Sequence, residues 1–206
     1  MVHFPARRHE TQCYHIPVSH AGYVLAGGRS SRMGCDKALL PFRGGRLVES
    51  VARAVGLAAG SAVLVGNPRL YEHLGFPAIP DLYPGTGPLG AILTALHHTS
   101  ADWNLVAACD MPELSADFLK LLIETAAAGR AGADALVPAG PSGRPEPLCA
   151  VYCRRSRPAL ERALGRGVRS VRAALESLHV AVVAVPEFKP FQNMNTPEEW
   201  AAYAAK

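Results

Sequence analysis

The chain has 206 residues, 49% of them apolar, and a formal net charge of +4. That is enough apolar material for one real core and too little charge for a nucleic-acid stripe, and no apolar run is long enough to cross a bilayer. The cysteines Cys13, Cys35, Cys109, Cys149 and Cys153 are odd in number and lack C-x-x-C spacing, so neither a disulfide framework nor a zinc site is indicated.

Residues 1–20 show no periodicity and no continuous apolar core of a secretion signal, which implies a cytoplasmic protein with a mobile N-terminal extension ahead of a single domain at 21–206. His3, His9, His15 and His20 have no repeating ligand spacing, so they read as incidental. Tyr23, Val24, Leu25 and Ala26 form the first buried strand, which stops in the loop Gly27-Gly28-Arg29-Ser30-Ser31-Arg32-Met33-Gly34-Cys35-Asp36-Lys37. Gly27 and Gly28 let backbone N–H groups approach an anion, and Arg32 and Lys37 add positive charge. The spacing fits neither the P-loop nor the G-x-G-x-x-G dinucleotide turn. Cys35 is the one thiol placed for reactivity, and Cys149 and Cys153 read as small buried hydrophobes.

Further elements follow in order. Leu47, Val48, Val51, Ala54 and Val55 recur at helical spacing, 61–65 reads as a short strand, 69–74 as a helix and 76–79 as a strand. A Gly- and Pro-rich loop opens at Asp81. Leu89, Ile92, Leu93 and Leu96 then share one helical face, and the apolar run 103–108 ends at Asp110. Ser115 caps a helix through about Ala128, strands are expected at 133–137, 148–152 and 180–185, and helices at 157–164 and 171–178, the last capped by Ser170. Thr196 and Glu199 around Pro197 make a capping box that starts a final helix. The arginines between 154 and 172 fall on several faces and read as a solvated surface.

Strands alternating with helices imply a Rossmann-like, doubly wound α/β fold with a mostly parallel sheet and helices on both faces. Ligands of such sheets sit beyond the carboxyl ends of the strands, where the loop after Ala26 and the acid after Ala108 should converge. Met111-Pro112 prevents a helix from starting on Asp110, and a carboxylate at a strand end beside a triphosphate is a natural Mg²⁺ ligand.

The segment 25–37 resembles the signature L-A-[AG]-G-x-S-x-R-M-G-x-x-K of nucleotidyltransferases that activate small phosphorylated metabolites, and its second glycine is most similar to the molybdenum cofactor guanylyltransferases. The resemblance covers nearly all of the chain after the extension. It implies a nucleotide-diphospho-sugar transferase type of fold and places Leu25, Ala26, Gly27, Gly28, Lys37, Asn67, Asp81, Gly87, Pro88, Leu89 and Asp110 at the nucleotide. Asp110 in Cys109-Asp110-Met111-Pro112 would hold the metal. Asp81 either reads guanine through its ring N–H and amine or only orders its loop. Arg144 and Pro145, in an R-P-x-P-L segment, and Asn193 and Asn195, in N-x-N-T-P-E, are implied at the molybdopterin. Arg32, Lys37 and Asp110 are the expected catalytic groups.

The implied reaction moves GMP from GTP to the terminal phosphate of molybdenum-molybdopterin, with Mg²⁺ as cofactor and pyrophosphate as leaving group. Repulsion between anions is the obstacle, so no general base is needed. Transient contacts with cofactor-biosynthesis or acceptor proteins are expected, and neither a nucleic acid nor a membrane partner. Two alternatives stand beside this reading. One is the cytidylyltransferase that uses CTP, whose pattern is usually L-A-A-G and D-x-D-T-P; the other is a non-catalytic GTP-binding module, against which the presence of both Lys37 and Asp110 argues.

Overall fold

A computed structural model of the chain describes residues 19–27, 36–129, 132–186 and 191. The extension at 1–18, the loop residues 28–35 with Gly28, Arg32 and Cys35, and the closing segment with Asn193, Asn195 and the expected final helix lie outside the described residues.

The first strand is β1 (His20–Leu25), and Ser19 before it donates its hydroxyl to Asp102 Oδ2 at 3.0 Å. Two short strands, β2 (Pro41–Phe42) and β3 (Gly45–Arg46), then pair antiparallel across Arg43 and Gly44. Both turn residues have positive φ, 46° and 78°, as a two-residue hairpin turn that matches the strand twist requires. The hydrophobic period did not reveal this hairpin, because neither strand is long enough to show alternation.

The remaining elements are α1 (Leu47–Ala59), β4 (Val63–Val65), α2 (Pro68–Tyr71), β5 (Ala78–Ile79), α3 (Pro88–His98), β6 (Trp103–Ala108), α4 (Ala116–Ala127), β7 (Ala135–Ala139), β8 (Cys149–Cys153), α5 (Arg157–Gly165), α6 (Val171–Leu175) and β9 (Val180–Ala184). Ser115 accepts the Phe118 N–H and Ser170 the Ala173 N–H, so both expected caps are in place. Helix α6 ends three residues before the expected Leu178. There Ser177 donates its hydroxyl to the Ala174 carbonyl at 2.7 Å, a local bond that competes with helix continuation. Strand β7 runs two residues past the expected Val137. Pro138 is tolerated because the ladder to β8 has already ended at Leu136.

Seven strands form one sheet in the order β5-β4-β1-β6-β8-β7-β9, parallel except that β8 runs antiparallel to both neighbours. The reason is the connection between β7 and β8: residues 140–148 contain no helix and are too few for a parallel crossover. The sheet is buried on both faces. Val24 and Ala26 join a core with α1 and α4, while Tyr23 and Leu25 join another with α3, α5 and α6. Phe191 packs edge-on against Phe118 of α4, their rings 5.7 Å apart. Cys149 is fully buried and Cys153 half-buried, as small hydrophobes on β8.

Candidate active site

Strands β1 and β6 pair in parallel register, Leu25 beside Ala108, so the chain leaves both at the same edge. The Cys109 N–H donates to the Leu25 carbonyl at 3.2 Å, which carries the pairing one residue further and fixes where Asp110 begins. On the other side of β1 the Ala26 N–H donates to the Val65 carbonyl at 2.9 Å. Gly27 comes next and is exposed. A Cβ there would meet nothing nearer than Gly66 Cα at 3.8 Å, so the protein itself does not demand glycine; the open space lies outward.

Lys37 rides on a one-turn 3-10 helix, Lys37–Leu39, whose N-cap Asp36 accepts the Ala38 N–H through Oδ1 at 3.0 Å. Its ammonium donates to Asp110 Oδ2 at 2.9 Å, with the two side chains 13% and 23% exposed. The two ends that the sequence places in one crevice therefore touch. Asp110 Oδ1 makes no hydrogen bond among the described residues. Behind Asp110, Glu113 accepts from Arg43 Nη2 of the β2–β3 turn at 3.2 Å, so the hairpin braces the loop that carries the acid.

Asp36 and Tyr71 are partners that the sequence did not single out. The Tyr71 hydroxyl contacts Asp36 Oδ2 at 2.7 Å and also the Ala26 carbonyl. Burial, and then the neighbouring Asp36 carboxylate, push the Tyr71 phenol well above its usual pKa, so it stays protonated and can donate. A single Tyr after the second strand carries no motif. Only adjacency to Lys37 could have drawn notice to Asp36.

Asp81 settles into its loop. Its Oδ1 accepts both the Tyr83 N–H and the Thr94 hydroxyl at 2.9 Å, while Thr94 Oγ1 accepts the Leu82 N–H at 3.0 Å. Thr94 is buried in α3, so the loop is anchored to a rigid helix. Gly87 precedes α3 with φ +74° and Pro88 occupies its first turn, where the missing N–H costs no helix bond. The Leu89 side chain is fully buried in the core, which leaves only its backbone to face a ligand. Asn67 is exposed and its Oδ1 caps α2 by accepting the Arg69 N–H at 3.1 Å.

Because β7 runs parallel to β6, the connection 140–148 returns at the same edge as Asp110, and the Ala108 N–H donates to the Leu148 carbonyl at 2.7 Å. Arg144 is exposed on that connection, and Arg172 Nη2 donates to the Pro145 carbonyl at 2.9 Å. Glu146, also unremarked in the sequence, is pushed upward in pKa chiefly by burial. The Leu148 N–H, Arg172 and Arg144 pull it back in part, and the Asp110 charge adds to the rise. Among the described residues no group of three or more His, Cys, Asp or Glu side chains could hold a metal by itself. No helix among them is long and apolar enough to cross a membrane.

Residues 22–181 match the family described as MobA-like NTP transferase domain. A probable molybdenum cofactor guanylyltransferase of Bacillus cereus (strain Q1) is 32% identical over 190 residues, covering 87% of this chain and 93% of that protein. One of Trichormus variabilis is 37% identical over 183 residues, covering 86% and 87%. Among solved structures, molybdopterin-guanine dinucleotide biosynthesis protein A from Archaeoglobus fulgidus superposes with a TM-score of 0.72 at 31% identity, covering 88% of this chain and 95% of that one.

Proposed function

We propose, because this chain belongs to the MobA-like NTP transferase family, that it transfers GMP from GTP to the terminal phosphate of molybdenum-molybdopterin, releasing pyrophosphate and forming a molybdopterin guanine dinucleotide cofactor. The family makes it an enzyme, a nucleotidyltransferase of molybdenum cofactor biosynthesis. The observation that carries the finer reading is the meeting of Lys37 with Asp110 at the carboxyl edge of β1 and β6.

The acceptor phosphate is already an anion, so attack on the α-phosphorus needs charge neutralised and the reactants aligned; no proton has to be removed. Lys37 binds the phosphates as a compact cation, and the open space outward of Gly27 lets the backbone there approach them. Arg32 is the second cation of this reading. Asp81, held by Thr94, is assigned to the wall of the base pocket, and the backbone from Gly87 to Leu89 and Asn67 are assigned to the nucleotide with it. Arg144, Pro145, Asn193 and Asn195 are assigned to the molybdopterin.

The residues fit Mg²⁺. A single partly exposed carboxylate with one oxygen unbonded among the described residues suits an ion that takes one or two protein oxygens and completes its shell with phosphates and water. Asp110 would hold it, and it would supply charge neutralisation at the phosphoryl oxygens. The same reading keeps residues 21–206 as one domain in the cytoplasm, with transient protein contacts for cofactor delivery.

The test is pyrophosphate release with magnesium and molybdenum-molybdopterin, comparing GTP with CTP. GTP turnover well above CTP is expected. Equal turnover would remove the guanine assignment, and tight GTP binding without turnover would favour a non-catalytic binding module.

A further inference from the structure

Tyr71 is 1% exposed, polar at its tip, and outside every role assigned above. Its hydroxyl reaches two oxygens from distant parts of the chain: the carbonyl of Ala26, where β1 ends, and Oδ2 of Asp36, which caps the turn bearing Lys37. The fold makes room for it. A Cβ at position 66 would lie 2.9 Å from Tyr71 Cε2 and 3.4 Å from the backbone of Ala26 and Gly27, so Gly66 is what allows the ring to reach the end of β1. Asn67 and Pro68 start α2 immediately afterwards, which sets the direction in which the ring enters.

We infer that Tyr71 is the positioning residue for Lys37, a role that rests on the nucleotidyl-transfer reading of this site. The argument is one of donors and acceptors. A carbonyl and a carboxylate both accept, and oxygens facing each other without a proton between them repel. The phenol's single proton, shared between the two acceptors, offsets that repulsion and holds Asp36 against the end of β1. Asp36 Oδ1 simultaneously accepts the Ala38 N–H, so the turn moves with the carboxylate, and Lys37 is its first residue. Phenylalanine at 71 keeps the packing and deletes the donor. Asp36 is then released from Ala26, and Lys37 loses the placement that puts its ammonium 2.9 Å from Asp110. Tyr71 touches no reacting atom; it acts through Asp36 and Lys37, as a supporting residue fixes a functional one.

Two readouts test this on the full chain. The first needs no nucleotide: amine-reactive labelling followed by mass spectrometry, with the exposed Lys120 as internal reference. Tyr71→Phe should raise the labelling rate of Lys37 several-fold relative to Lys120, and an unchanged ratio overturns the inference. The second is a double-mutant cycle on affinity for magnesium GTP. Tyr71→Phe alone should weaken binding about tenfold, as loss of a buried donor to a charged acceptor does. In a Lys37→Ala background the same change should alter affinity less than twofold. An equal tenfold loss in both backgrounds would mean that Tyr71 acts on general stability, and it overturns the inference. Failure of the wild-type chain to bind either GTP or CTP would defeat the proposed function instead, and the labelling ratio would still decide the placement of Lys37.

Discussion

The ammonium of Lys37 sits 2.9 Å from Asp110 Oδ2, although 73 positions separate the two residues in sequence. The parallel register of β1 and β6 brings their flanking loops together, and the cap at Asp36 turns the lysine inward. Lys37→Ala and Asp110→Asn are each expected to lower turnover about a hundredfold or more, as loss of one group of an electrostatic clamp does. Stability should respond far less than turnover, because both side chains keep some contact with water. Pyrophosphate release set beside a thermal melt separates the two effects. Retained turnover in Asp110→Asn would mean the metal is held elsewhere.

Thr94 is the hinge pin of the loop that begins at Asp81. Its hydroxyl serves Asp81 Oδ1, the Leu82 N–H and the Gly90 carbonyl while buried in α3. Thr94→Val conserves shape but leaves these groups short of partners, at a cost of about 1–3 kcal/mol. Urea unfolding should show the loss, and the KM for GTP should rise several-fold although Thr94 itself touches no substrate. An unchanged KM would separate the loop from nucleotide binding.

Gly90 sets two rules against each other. Alanine inside a helix is favoured over glycine by about 1 kcal/mol. Here, however, its Cβ would fall 2.0 Å from Thr86 Oγ1, 2.8 Å from Tyr83 Cβ and 2.9 Å from the Tyr83 carbonyl. One of these contacts is with backbone, which a rotamer change cannot relieve. Gly90→Ala should therefore lower the melting temperature and weaken GTP binding. A rise in melting temperature would show that the loop 81–87 moves aside at little cost.

Glu146 gives a pH signature. Its carboxyl is pushed upward, mostly by burial, so the folded protein prefers the neutral form more than the unfolded chain does. Its stabilising contribution is full below the usual carboxylate pKa and is lost as pH rises through the raised value. Glu146→Gln should match the parent in melting temperature at acid pH and exceed it above neutrality. The reverse order would mean that Arg172 and Arg144 outweigh burial.

Most of the architecture was legible because long amphipathic helices and buried strands declare their period; α1 and α3 fall where Val48 and Leu89 predict, β6 on the apolar run 103–108, and α4 after the cap at Ser115. Capping chemistry at Ser115 and Ser170 is local and was legible for the same reason. The β2–β3 hairpin was not, since two residues per strand show no alternation and Arg43 gives no sign of a positive φ. The antiparallel course of β8 depended on a connection length whose consequence appears only once β7 and β6 are neighbours of β8.

By itself the sequence determined most of the elements, their mostly parallel assembly and the two loops that bear Lys37 and Asp110, because periodicity, caps and strand ends are written in neighbouring residues. Tertiary structure alone decided which oxygen each cation and hydroxyl meets. Tyr71 reaches Asp36, Thr94 anchors Asp81, and Glu146 is half-buried within the field of Asp110. Such pairings join segments far apart in the chain, and their strength depends on the few tenths of an ångström and the exclusion of water that packing sets.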